Sequence, residues 1–241
     1  MIAIIDYGVG NLRSVQRAFE YVGAEAVVTA RRETIESASA VVLPGVGAFG
    51  QAMSNLERAG LVDVIRQVIA QGRPFLGICL GLQLLFEGSD EMGEHRGLSV
   101  FGGRVRRFEV GLKVPQIGWN QIHIQRASPL LEGVADGSYA YFVHSYYVAP
   151  DDPEIVLATT DYGIDYASVI GQDNVFGIQF HPEKSQAVGL TILRNFCLRH
   201  CEERQRRSNP LLAQPGGDCF APTGLAMTQR DLLSYDCLSC P

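Results

Sequence analysis

The sequence lacks a hydrophobic run long enough to cross a bilayer. Its longest, Phe75 to Leu82 with Leu84 to Phe86 beyond Gln83, is well short of the ~18–20 residues a spanning helix needs. The opening stretch, MIAIIDYG, has no basic segment ahead of its apolar run and meets Asp6 early, which makes a poor secretion signal. Positive charge is not in excess either. The 20 basic and 26 acidic residues give a net charge of −6, so no globally basic surface is available for nucleic acid. Cysteine is scarce where a disulfide framework would need it. Of six cysteines, only Cys79 falls within the first 196 residues; Cys197, Cys201, Cys219, Cys237 and Cys240 crowd the end. Such a distribution does not staple a fold and points to a reduced, cytoplasmic protein. Tryptophan is confined to Trp119. No repeat of 20–50 residues is visible. The Gly loop DYGVGN (6–11) is not G-x-G-x-x-G, so a dinucleotide site is not expected. No cofactor or metal is expected.

What is present suits a globular core: 46% hydrophobic and 19% charged residues over 241 positions, enough for one large domain or two small ones. Met1–Asp6, Ala26–Ala30, Ala40–Leu43 and Pro74–Ile78 are short, continuous apolar runs that read as buried strands. Between them lie helical patterns: Leu12 to Val22 capped by Asn11, a short segment at Thr34–Ala38, and two at 50–59 and 61–71 that stop at Gly60 and Gly72. Strands alternating with helices indicate a parallel sheet covered on both faces. PGVGAFG (44–50) reads as a loop without regular structure, and Leu80–Phe86 as the opening of a helix. From about residue 99 the apolar pattern alternates, as in GGRVRRF and SYAYFVHSYYV. Antiparallel or mixed strands added to the same sheet are expected there. A last helix is expected at 186–200. The predicted fold class is α/β, a mostly parallel central sheet flanked by helices with added antiparallel strands.

Gly77-Ile78-Cys79-Leu80-Gly81 has the form G-x-C-x-G where a buried strand runs into a helix. This is the nucleophile-elbow pattern with cysteine in place of serine. Glycines two before and two after keep side chains out of a tight turn. The start of the following helix favours a thiolate at Cys79, and the Leu80 N–H is free for an oxyanion. A cysteine nucleophile needs an imidazole. FGIQFHPE supplies His181 at a strand end, with Glu183 two positions on to fix its tautomer if the chain stays extended. His144 is a rival base without an adjacent carboxylate. The PGVG loop follows a parallel strand, where open α/β sheets build their sites; it can offer a second oxyanion donor, and an ordinary turn or a phosphate loop remain alternatives.

Taken together, IIDYGVGNLRSV, LPGVGAFG, GICLGLQLLFEGS, GWN (118–120), FVHSYY and GIQFHPEKS resemble the class I (triad) glutamine amidotransferases. PGVG and HSYY point to the branch of glutaminase subunits of imidazole glycerol phosphate synthase, in histidine biosynthesis. The resemblance spans residues 1 to about 200. It implies the flavodoxin-like fold of that family and Cys79, His181 and Glu183 as the triad. It also implies backbone oxyanion donors at Val46, Gly47 and Leu80, and glutamine-binding positions at Gln83, Glu91, His144, Ser145 and Tyr146. The implied partner is a (β/α)₈-barrel cyclase subunit in a heterodimer, facing Trp119, Asn120, Tyr141 and Lys184.

After His200 the composition shifts, with Pro210, Pro215, Pro222, Pro241 and a Gly216-Gly217 pair. Residues 1–200 are expected to be the amidotransferase domain, and 201–241 a mobile extension that the chemistry does not require. Cys197-x3-Cys201 and Cys237-x2-Cys240 also have the look of metal-ligand pairs, a reading set aside for want of supporting structure.

Overall fold

The structure, a computed structural model, describes residues 1–208. Cys219, Cys237, Cys240 and the prolines of the extension lie outside the described residues. The first third of the chain alternates as its apolar pattern requires: β1 (Ile2–Ile5), α1 (Leu12–Tyr21), β2 (Ala26–Thr29), α2 (Arg32–Ser37), β3 (Ala40–Gly45), α3 (Phe49–Arg58), α4 (Val62–Ala70) and β4 (Phe75–Cys79). Then come α5 (Leu80–Gln83), β5 (Phe86–Ser89), β6 (His95–Arg96), β7 (Phe101–Arg107), β8 (Gln116–Ile124), β9 (Ser138–His144), β10 (Tyr146–Pro150), β11 (Val156–Asp161), β12 (Asp165–Gln172), β13 (Val175–Ile178) and α6 (Gln186–Ser208).

The sheet runs β2-β1-β3-β4-β13-β12-β10-β7-β5-β6. Its first five strands are parallel. Every residue of β1, β3, β4 and β13 is buried, because helices cover both faces. Side chains alternate between those faces. Ile2, Ile4, Val42 and Leu76 pack on α1 and α6 through Val15, Phe19, Leu193 and Phe196. Ala3, Ile5, Val41 and Phe75 pack on α2, α3 and α4 through Ile35, Leu56, Ile65 and Val68. Beyond β13 the strands run antiparallel, except that β5 pairs with β7 in parallel. An outer β8–β9 pair is attached through β11. The expected fold class therefore holds. β13, whose run VFGI is apolar throughout, differs from its alternating neighbours: it pairs parallel with β4 on one side and antiparallel with β12 on the other.

Several expectations need correction. The segment 44–50 is mostly regular: β3 extends through Pro44-Gly45 and α3 begins at Phe49, leaving 46–48 as the loop. Pro44 can stay in the strand because the pairing of β3 with β1 ends at Val42, so no ladder bond from its missing N–H is needed on that side. The helix after Cys79 is a single turn, and Phe86 already starts β5. Any helix-dipole effect at the sulfur is that of one turn. Asn11 sits at the N-cap of α1 but makes no side-chain capping bond. α6 continues past 200 to Ser208. Cys197 lies in the core beside Phe196, away from the role of an exposed metal ligand. No helix among the described residues is long and apolar enough to cross a membrane.

The turn from β4 into α5, packed against β3, leaves no room for side chains at the flanking glycines. A Cβ at Gly81 would overlap the carbonyl oxygen of Leu43, which is backbone and cannot move away. A Cβ at Gly60, by contrast, meets nothing within 4 Å, and its only difficulty is φ +65°. Gly81→Ala is expected to lose more than about 4 kcal/mol in urea unfolding, or to prevent folding, whereas Gly60→Ala is expected to lose only about 1–2 kcal/mol.

Candidate active site

Strands β4 and β13 end side by side, with Gly77 opposite Gly177 and Ile78 opposite Ile178. The residues that follow are therefore brought together: Cys79 from one strand, Gln179 and His181 from the other. Cys79 sits at φ 54°, ψ −110°, a conformation that costs a non-glycine residue about 1–3 kcal/mol and persists only when its surroundings enforce it. Here they do. A Cβ at Gly77 would lie 2.6 Å from the carbonyl oxygen of Gly81, so both glycines of G-x-C-x-G are required by close approach. Gly45 is held to the same standard, since a Cβ there would come within 2.9 Å of the Leu80 Cβ.

His181 and Glu183 are almost fully buried, with side chains 4% and 1% exposed, and His181 Nδ1 lies 2.9 Å from Glu183 Oε1. Pro182–Lys184 is a tight 3-10 turn rather than extended chain; the turn, not strand alternation, swings the carboxylate back to the ring. His181 Nε2 is buried without a hydrogen-bond partner, and the ring interacts with Cys79. Burial works against a charged imidazole, but interaction with Cys79 and Glu183, including the Glu183 hydrogen bond, outweighs it and raises the His181 pKa to about 10. An imidazolium at this position favours negative charge on the sulfur.

A cavity of about 340 Å³ opens over the sulfur. Val46, Gly47, Cys79, Leu80, Gln83, Glu91, His144, Ser145, Tyr146 and His181 all line it, so every residue expected at the oxyanion and glutamine positions reaches one pocket. Glu91 is anchored by accepting the Phe49 N–H at 2.7 Å, at the first turn of α3. Gln83 Nε2 donates to the Tyr146 carbonyl at 2.9 Å and to Gln179 Oε1 at 3.2 Å.

His144 is engaged on both nitrogens. Nδ1 lies 2.8 Å from the Tyr146 carbonyl, which can only accept, and Nε2 lies 3.2 Å from the Tyr166 hydroxyl. Burial chiefly, helped by the charge of His181 and opposed by the Tyr146 bond, lowers its pKa to about 4. It is a neutral wall of the pocket rather than a rival base.

Three residues escaped the sequence reading. Pro115 and Val143 line the cavity, and nothing in the sequence marks them. Gln179 donates toward Cys79 Sγ at 3.7 Å. Its signal was legible: a glutamine inside an otherwise apolar strand must find partners when buried.

The residues expected at a partner surface lie together. Trp119 is 47% exposed and stands opposite Tyr141 on β8 and β9, their rings 6.0 Å apart edge to face. Lys184 Nζ lies 5.6 Å over the Tyr141 ring. Exposed Ile117 and Tyr139 extend the same face by strand alternation. Asn120 differs: its amide is used within the fold, donating to the Asp161 carbonyl. Beneath this face, the His181 N–H donates to the Tyr141 carbonyl, the Tyr141 N–H donates to Ser185 Oγ, and Ser185 Oγ donates to the His181 carbonyl. Tyr141 and His181 are thus clamped backbone to backbone. Among the described residues no cluster of His, Cys, Asp or Glu has the makings of a metal site.

A buried thiol on a strained elbow, an imidazole–carboxylate pair beside it and a glycine loop across the pocket define a thiol-dependent acyl-transfer site. Residues 3–200 match the family described as glutamine amidotransferase class-I, and the chain belongs to that family. It is 56% identical over 204 residues to the imidazole glycerol phosphate synthase subunit HisH of Geobacter metallireducens, covering 82% of this chain and 97% of that protein. The HisH subunit of Aquifex aeolicus is 56% identical over 194 residues, covering 80% and 94%. Among solved structures, a glutamine amidotransferase aligns with TM-score 0.67 at 21% identity, covering 83% of this chain and 100% of that one. Another, from Thermotoga maritima, gives 0.56 at 18%, covering 87% and 86%.

The depressed pKa of His144 has a consequence for acid stability. Between about pH 6.5 and about pH 4 the unfolded chain binds a proton at this imidazole that the folded chain refuses. The contribution is present above pH 6.5 and is lost as pH falls to 4, amounting to as much as about 3 kcal/mol. In urea unfolding measured from pH 7 to pH 4.5, His144→Gln is expected to show a shallower loss of stability with acid than the wild type.

Proposed function

We propose that this chain is the glutaminase subunit of an imidazole glycerol phosphate synthase, hydrolysing glutamine and delivering the ammonia to a (β/α)₈-barrel cyclase subunit. The observation that carries the chemistry is the meeting of Cys79, His181 and Glu183 at the adjoining ends of β4 and β13, under a pocket lined by Val46, Gly47 and Leu80. The HisH relatives direct that chemistry to this synthase. At about 340 Å³ the pocket is at the small end for ligand sites, which suits an amino acid.

The reaction follows from the arrangement. The Cys79 sulfur attacks the side-chain carboxamide carbon of glutamine. Backbone N–H groups at Leu80 and at Val46–Gly47 hold the oxygen as it becomes negative. The His181 imidazolium gives its proton to the amide nitrogen, the C–N bond breaks, and ammonia leaves a thioester on Cys79. The neutral imidazole then takes a proton from water as the hydroxyl adds to the thioester. Collapse expels the thiolate and releases glutamate. Glu183 keeps Nε2 of His181 directed at the sulfur throughout. Gln83, Glu91, Ser145, Tyr146 and the neutral His144 form the glutamine-binding walls.

Ammonia freed into water is mostly protonated and no longer nucleophilic, so it must be passed on under cover. The exposed Ile117–Trp119–Tyr139 face with Tyr141 and Lys184 supports a docking surface for the cyclase, since exposed aromatics clustered on one face are the common anchors of such interfaces. Asn120 takes part through the backbone geometry it fixes. We also infer that residues 1–200 carry the enzyme and 201–241 form an extension it does not need. The support is that the family match ends at 200 and that HisH relatives are covered almost fully by about four fifths of this chain. A cytoplasmic location suits a nucleophile that must stay reduced.

Cys79→Ser is expected to reduce ammonia release from glutamine, assayed with the cyclase subunit present, by at least about 10³-fold; activity near wild type would remove Cys79 from the mechanism. Trp119→Ala is expected to lower the fraction of ammonia reaching the cyclase product while shifting the unfolding midpoint little, because the ring is half exposed. Unchanged transfer would place the docking surface elsewhere.

A further inference from the structure

We propose that Gln179 is a positioning residue for the nucleophile, its side-chain amide donating to the Cys79 sulfur and tying that sulfur to the substrate wall through Gln83. The inference rests on Cys79 being the nucleophile. Gln179 is fully buried and does not line the pocket, so it cannot bind glutamine directly. Its two ends make different bonds. Nε2 points at Cys79 Sγ, 3.7 Å away, and Oε1 accepts from Gln83 Nε2 at 3.2 Å. Gln83 does line the pocket, and its amide nitrogen is also bound to the Tyr146 carbonyl. A continuous hydrogen-bonded path therefore runs from the substrate wall, through Gln83 and Gln179, to the sulfur.

The orientation of Gln179 is fixed by this path. Gln83 Nε2 is a donor, so the atom facing it must be the Gln179 oxygen, and the nitrogen must face the sulfur. A sulfur bearing negative charge is a far better acceptor than a neutral thiol or a thioester. The bond is strongest whenever the sulfur carries charge, as when the thiolate leaves at the end of deacylation. It weakens while the acyl group is attached. Gln179 thus favours charge on the sulfur wherever the reaction places it there. Backbone placement makes the arrangement rigid: Gln179 N–H donates to the Ser168 carbonyl at 2.9 Å, one residue beyond the β13 strand that aligns Ile178 with Ile78.

The test measures the pH dependence of Cys79 alkylation by iodoacetamide in the full-length protein, with the modified peptide identified by mass. The midpoint of such a profile follows the charge state of the sulfur, which loss of the donor shifts when the volume stays filled. In Gln179→Met, which keeps the volume and removes the donor, the midpoint is expected to rise by about one pH unit, a tenfold change in equilibrium, and kcat for ammonia release to fall about tenfold. Gln179→Glu is close to isosteric and still accepts from Gln83, and it serves if the methionine variant does not fold. Its midpoint is expected to move up likewise, with KM for glutamine near wild type. A wild-type midpoint in whichever variant folds overturns the inference. Failure of the functional reading is separately visible, as ammonia release that survives Cys79→Ser.

Discussion

The parallel pairing of β4 with β13 is the constraint on which the site depends. Segments about one hundred residues apart in sequence end at the same level because Gly77 and Gly177, then Ile78 and Ile178, stand opposite each other. Parallel neighbours point their carboxyl ends the same way, so both chains leave the sheet at one edge, where α/β folds build their sites. A slip of one residue would turn Cys79 and Gln179 to opposite faces. The register is held by burial: every residue of both strands is buried, and a Cβ at Gly177 would overlap the Leu82 side chain from the turn beyond Cys79. Strand pairing, elbow packing and pocket geometry are therefore a single structural problem with a single solution.

The strain at Cys79 belongs to that solution. A cysteine at φ 54° is unfavourable in isolation. It is kept there because the chain must reverse from β4 into a one-turn helix beneath β3, with glycines where backbone meets backbone. The short helix matters. One turn ends at Gln83, which stays against the Tyr146 carbonyl, and lets the chain drop into β5. Electrostatics near the sulfur consequently come from side chains, His181 above all, rather than from a helix axis.

The outer strands connect this centre to the surface. β9 carries Tyr141 on its exposed face and, through its backbone, holds the residue that bears the imidazole. Anything that presses on the Trp119–Tyr141–Lys184 face acts on a peptide group bonded to His181. That is a direct mechanical route of a few bonds, short enough that no long pathway need be invoked.

Much of this was legible beforehand. Continuous apolar runs separated by helical patterns determined the parallel core, since strands buried on both faces cannot alternate. G-x-C-x-G, the His-Pro-Glu end of FGIQFHPE and the PGVG loop singled out residues that the structure brings to one pocket, because each pattern solves a local steric or acid–base need. The regular ends of segment 44–50, the single turn after Cys79 and the 3-10 turn carrying Glu183 were not legible; each is fixed by contacts with distant backbone, not by neighbours in sequence. Nor did spacing reveal Pro115, Val143 or the place of Gln179 beside the sulfur. The sequence by itself determined the kind of chemistry and the residues to be examined for it, as these follow from side-chain identity and local pattern. Only the tertiary structure decided how they meet, because the register between two strands some hundred residues apart is set by packing across the whole sheet.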